Sequence, residues 1–78
     1  MEFALSELKP YNACEVARIE DGALRAKLSR YGITPGAELT WLFDAPCGDP
    51  AAYAVRGSVV AIRSSDASRI IVRTLGAE

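Results

Sequence analysis

Residues Leu28–Leu39 read LSRYGITPGAEL, and this stretch decides how the chain folds. Leu24, Leu28 and Tyr31 recur at i, i+4 and i+7, the spacing of one buried helix stripe. Gly32 then falls where a helix places its left-handed C′ residue, a conformation that strains any residue with a side chain. With Gly32 at C′, Ile33 is C″ and Leu28 is C3, the pair that makes the apolar contact of a Schellman stop. Pro35 and Gly36 follow in the order of a type II turn, fixed negative φ first and positive φ second. Ala37–Asp44 then leaves as a strand. Gly32, Pro35 and Gly36 are thus structural turn residues, and together they make a corner.

Upstream of the corner, Asp21 is the N-cap of a helix Gly22–Tyr31. Its polar face carries Arg25, Lys27, Ser29 and Arg30, and Lys27 and Arg30 lie near the C-terminus, where positive charge is favoured. Ala13–Ile19 reads as a strand with Cys14 and Val16 on one side and Glu15 and Ala17 on the other. Ile19 breaks that alternation, which places a bulge or the strand end near Arg18. Lys9-Pro10-Tyr11-Asn12 is a turn signal. Met1–Glu7 fits an edge strand or a single helical turn.

Downstream, Leu39, Trp41 and Phe43 face one side of the Ala37–Asp44 strand, and Glu38, Thr40 and Asp44 the other, with Leu42 the exception. Trp41 shares the parity of Leu39 and Phe43 and is read as core. Ala45–Pro50, APCGDP, holds two prolines and a glycine in six residues and is a loop. Tyr53–Arg56 is the next strand, Gly57-Ser58 a turn or bulge, and Val59–Arg63 a strand with Val60 and Ile62 on one face. Ser64–Ser68 is a loop or one short helical turn. Ile70 and Val72 lie in a last strand, with Arg69 and Arg73 facing out.

The totals bound the class. The chain has 78 residues, half of them hydrophobic, and a formal net charge of -1. It is read as one domain over residues 1–78, with a small core and little stability to spare. A near-neutral charge gives no basic footprint for nucleic acid. The longest apolar run, Ala51–Val55, has five residues, far short of the roughly 20 that a bilayer span needs. Met1–Pro10 carries Glu2 and Glu7 instead of a basic start and an apolar stretch, unlike a signal peptide. These features predict a cytoplasmic chain that does not insert directly into a membrane.

Catalysis finds no foothold: there is no histidine, no G-x-S-x-G, no Walker-type loop, and no carboxylate pair at a diagnostic spacing. Cys14 and Cys47 stand far apart, without the close pairing of a zinc ligand set. Cys14 reads as a small buried apolar residue, and Cys47 as a loop thiol. Scattered Asp and Glu offer at most a weak hard-cation site, so no metal ligands and no cofactor are assigned. Seven arginines are candidates for a finger delivered to a G protein, and most are expected to lie on solvated faces. About five short strands, one helix and many tight turns allow an open two-layer sheet, but a small, strongly bent barrel fits better, because it removes exposed sheet edges.

Five segments taken together resemble a known family: LSEL at Leu5–Leu8, LSRYGITPG at Leu28–Gly36, APCGDP at Ala45–Pro50, YAVRGSVVAIR at Tyr53–Arg63 and DASRIIV at Asp66–Val72. In this order and spacing the chain resembles FeoA, the small cytoplasmic accessory protein of bacterial ferrous iron transport. The resemblance implies a mainly β fold, a small SH3-like β-barrel with one α-helix between its early strands. It also implies a partner, the membrane Fe²⁺ transporter FeoB with its cytoplasmic G domain, through which the chain would be recruited to the inner membrane. Tyr31 stands where the family usually has Leu, and Cys47 where an aliphatic residue is common. Similar SH3-like domains end the iron-dependent repressors, so a regulatory, peptide-binding module is the alternative.

SH3-like barrels meet partners through loops and aromatic-lined grooves. The loop residues Pro46, Gly48, Asp49 and Pro50, flanked by Leu42 and Tyr53, are therefore the candidate partner surface. The bland alternatives are a plain hairpin connection, a solvated Asp44 at a strand end, and an Asp49 that starts the turn before Pro50. Pro46→Ala with Asp49→Ala is expected to weaken partner binding and leave the melting temperature nearly unchanged. Self-association through paired barrel edges stays open.

Overall fold

The computed structural model describes residues 1–10 and 12–75. It contains strands β1 (Glu2–Ala4), β2 (Ala13–Ile19), β3 (Glu38–Asp44), β4 (Ala51–Val55), β5 (Ser58–Ile62) and β6 (Ile70–Thr74), with helices α1 (Gly22–Ser29) and α2 (Ser64–Ala67). Among the described residues six antiparallel strands rather than about five form one sheet, in the order β1-β6-β2-β3-β4-β5. The additional strand is β1. The N-terminal segment takes both of its expected forms, since β1 runs directly into a 3₁₀ turn at Leu5–Glu7. The result is the expected mainly β, SH3-like architecture, although the barrel is not closed. Strands β1 and β5 remain as edges, and the 3₁₀ turn packs against α2 and β6.

The corner forms as its residues dictate. Gly32 has φ +81°; its N–H donates to the Ser29 carbonyl and the Ile33 N–H to the Leu28 carbonyl, both at 3.1 Å. These are the two bonds of a Schellman stop, and Ile33 is fully buried beside Leu28 in the core. The Ala37 N–H donates to Thr34 O at 2.8 Å across Pro35-Gly36, where Gly36 has φ +94°. The corner is stitched to β2, with the Gly36 N–H donating to Val16 O and the Val16 N–H donating to Ala37 O. Asp21 caps α1, its Oδ1 accepting from the N–H groups of Ala23 and Leu24. The regular helix ends at Ser29 rather than Tyr31. Helical counting lapses there, and Tyr31 is 51% exposed instead of completing the buried stripe.

Two bulges set the sheet's parity. One lies between Val16 and Arg18, so that Cys14, Val16 and Ile19 all reach the core. The other lies between Trp41 and Phe43. Leu42 is the extra residue, and it turns Phe43 outward, 60% exposed, instead of inward with Leu39 and Trp41. Trp41 remains on the inner side, half-buried against the core. The β4–β5 turn is Arg56-Gly57, with positive φ at both residues, one position earlier than Gly57-Ser58. The Asn12 N–H donates to Lys9 O at 3.1 Å and closes the predicted turn; Tyr11 lies outside the described residues.

Candidate functional site beneath the Ala45–Pro50 loop

The loop joins β3 to β4 and is tied at its base, where the Ala45 N–H donates to Pro50 O at 2.9 Å. Within it the Gly48 N–H donates to Ala45 O at 2.7 Å, and Gly48 has φ +95°. That backbone angle suits glycine and disfavours other residues. The Asp49–Pro50 peptide bond is cis. Cys47 lies exposed on the loop, its thiol donating to Asp49 O at 3.1 Å.

The residues singled out from the sequence divide into three groups. Pro46 and Gly48 are exposed at the tip. Leu42 and Pro50 are half-buried at the flanks. Asp49 and Tyr53 face inward duties. Asp49 Oδ1 accepts from the Ser64 N–H at 2.9 Å, and Oδ2 from the Ser64 hydroxyl at 3.4 Å. It therefore supplies the end of α2 with the acceptor that Arg63, at the N-cap position, does not provide. Tyr53 is only 3% exposed and supports the loop from within the core instead of flanking it in solvent. A double substitution of Pro46 and Asp49 would consequently strip a bond from α2 as well as alter the surface.

Beneath the loop lies a recess of about 150 Å³ lined by Trp41, Asp44, Asp49, Tyr53 and Ser64 among others. The bulge at Leu42 makes it, because shifting parity by one residue places Asp44 in register with Ala51 and Ile62 on the inner side. Burial raises the Tyr53 hydroxyl to about 12, and the nearby Asp44 carboxylate adds to the shift. The phenol therefore stays protonated across the physiological range. The Trp41 Nε1 is buried without an acceptor among the described residues, an unmet donor that costs stability. The recess thus places the carboxylates of Asp44 and Asp49 beside the rings of Trp41 and Tyr53. Sequence reasoning missed it, since it brings together chain segments from Ser6 to Ala67. Among the described residues no cluster of three or more Asp, Glu or Cys side chains converges as a metal site.

A second groove, about 270 Å³, lies between α1 and β5 and is lined by Lys27, Leu28, Tyr31, Val60, Ala61, Ile62 and Asp66. Arg56 reaches to the corner beside it, its Nε donating to Gly32 O at 3.2 Å. No helix among the described residues is long and apolar enough to cross a membrane.

Several known proteins share this arrangement. FeoA protein from Chlorobium tepidum superposes with a TM-score of 0.90 at 34% identity, over 97% of this chain and 73% of that one. An iron uptake regulatory protein (FeoA) superposes at 0.83 with 37% identity, over 96% and 99% of the two chains. A manganese-dependent transcriptional repressor superposes at 0.85 with 23% identity, over 95% of this chain and 37% of the repressor; that likeness shows the fold alone. Among curated proteins none matches. Residues 3–74 match the FeoA domain. With nearly its whole length inside that match and its fold shared with FeoA proteins, the chain belongs to the FeoA family.

Proposed function

We propose that this chain is a small, non-enzymatic accessory protein of bacterial ferrous iron uptake, which binds the cytoplasmic part of FeoB and modulates it by protein–protein contact. The observation that carries the reading is the FeoA-domain match over residues 3–74, supported by a relative described as an iron uptake regulatory protein. The chain works in the cytoplasm and reaches the inner membrane through FeoB. Its contact surface includes the loop tip at Pro46 and Gly48, held rigid by the Ala45–Pro50 and Asp49–Ser64 bonds. The alternative, a regulatory module like the repressors' SH3-like domains, is supported by fold only.

Calorimetric titration of the chain into the FeoB cytoplasmic domain, with GDP, with a GTP analogue and without nucleotide, tests the reading. Saturable binding in at least one state is expected. Lack of binding in all three, and to full-length FeoB in detergent, would overturn it. Pro46→Ala, which leaves the Asp49–Ser64 bonds intact, should weaken binding without changing the melting temperature.

A further inference from the structure

Strand β5 is an open edge. It pairs with β4 and with no other strand among the described residues. Val55 and Ser58 close a two-residue hairpin, so the backbone groups of Ser58, Val60 and Ile62 turn toward β4. Those of Val59 and Ala61 point the other way, because antiparallel bonding alternates along a strand. Consecutive residues Val60, Ala61 and Ile62 all line the groove between β5 and α1. The groove therefore runs along the strand's unpaired edge instead of across one face of the sheet.

The groove has an apolar floor and a basic surround. Leu28, Tyr31, Val60 and Ile62 supply the floor. Lys27 lines it, Arg30 follows on the same helix end, Arg63 follows β5, and Arg56 is fastened at the corner. Arg18, Arg69 and Arg73 are in ion pairs, whereas these four cations have none among the described residues. Asp66 is the sole acid among the described residues that line the groove.

We infer that the β5 edge and the α1–β5 groove take an extended acidic peptide segment of a partner protein, added as a further antiparallel strand with apolar residues turned toward Leu28 and Val60 and carboxylates toward Lys27, Arg30 and Arg63. Main-chain bonds to Val59 and Ala61 supply affinity, and the floor and the cations supply selection. A second copy of this chain is the poorer occupant, because its own β5 would bring Arg56 and Arg63 against an equally basic surround. The inference rests on the reading of the chain as a protein-binding module and names the chemistry of what it binds.

The probe is a capped heptapeptide alternating Glu and Val, titrated into the ¹⁵N-labelled chain, with its Lys/Val counterpart and a short oligonucleotide as comparisons. The Val59 and Ala61 amides should shift and gain protection from exchange with the acidic peptide alone. Lys27→Glu combined with Arg63→Glu should weaken that binding at least tenfold while leaving the spectrum otherwise folded. Equal binding of the basic peptide, silence at β5 at millimolar acidic peptide, preference for the oligonucleotide, or dimerisation through β5 would each overturn the inference. FeoB binding that survives Lys27→Glu/Arg63→Glu undiminished would remove the groove and leave the FeoB reading standing. Failure of FeoB to bind while the peptide still occupies β5 would do the reverse.

Discussion

The two halves of the sheet solve the problem of an outer face in opposite ways. On the β1–β6–β2 half, the row Glu2, Arg73, Glu15 crosses three strands in register. Arg18 joins it, pairing with Glu2 and Glu20, while Arg73 pairs with Glu2 and Glu15. On the β3–β4–β5 half, beyond Glu38, which stands opposite Glu15 and extends the charged row, the outward rows are Phe43, Ala52, Ala61 and Thr40, Ala54, Val59, without a charge between them. Beneath both halves runs one core, joined where Leu39 stands opposite Cys14. The charged half is satisfied internally, its cations neutralised by neighbours. The uncharged half, with Phe43 and Val59 each about 60% exposed, has surface left over, as partner-binding surfaces do.

The premise of a shared core is the easiest to break. Leu39→Ala should cost about 2–5 kcal/mol and still leave one cooperative unfolding transition by denaturant titration. Two separable transitions would mean that the halves are independent units. Next in size is Gly32→Ala, which forces an alanine to φ +81° and sets its Cβ 2.7 Å from Arg56 Cδ. The conformational strain alone amounts to roughly 1–3 kcal/mol. Adding Arg56→Ala should relieve the collision but not the strain, so the double variant recovers part of the loss in thermal melts.

Electrostatic effects on the charged half are smaller and are separable by salt and pH. Glu2→Lys should lower the melting temperature at low ionic strength, with the difference fading in high salt as screening takes over. The hydrogen bond from Arg18 holds the Glu2 carboxyl below its ordinary value, and the backbone N–H of Leu24 does the same for Asp21. A depressed folded value means that the unfolded chain takes up protons first. Stability is fully present above the ordinary carboxylate value of about 4 and is lost as pH falls through the folded values. Melting curves across the acid range should therefore flatten for Glu2→Gln and Asp21→Asn. On the uncharged half, Phe43→Lys should change stability by no more than about 0.5 kcal/mol. A larger loss would mean that Phe43 packs more than its exposure indicates.

Legibility followed the range of the interactions. The Gly32 stop, the Pro35-Gly36 turn, the Asp21 cap and the Ala45–Pro50 loop depend on residues within a few positions of one another, and each was readable. Phe43 was not, because an inserted Leu42 reverses every later side of a strand and its alternation gives no local sign of the insertion. Tyr31 misled for a similar reason, since the helical period holds only while the helix does. The Asp49–Ser64 bonds, the approach of Arg56 to Gly32 and the recess under the loop join segments far apart in the chain. They exist only once the sheet has registered its strands.

The two cysteines differ enough to be told apart by chemistry. Cys14 is fully buried, and desolvation raises its thiol to about 11, whereas Cys47 stands exposed on the loop. A maleimide dye added to the folded chain should therefore attach at Cys47 alone, with no engineered residue. The reporter would sit beside Pro46 and above the Trp41 recess, where a docking partner changes its brightness and Trp41 can serve as its energy donor. The native chain thus carries its own single-site sensor.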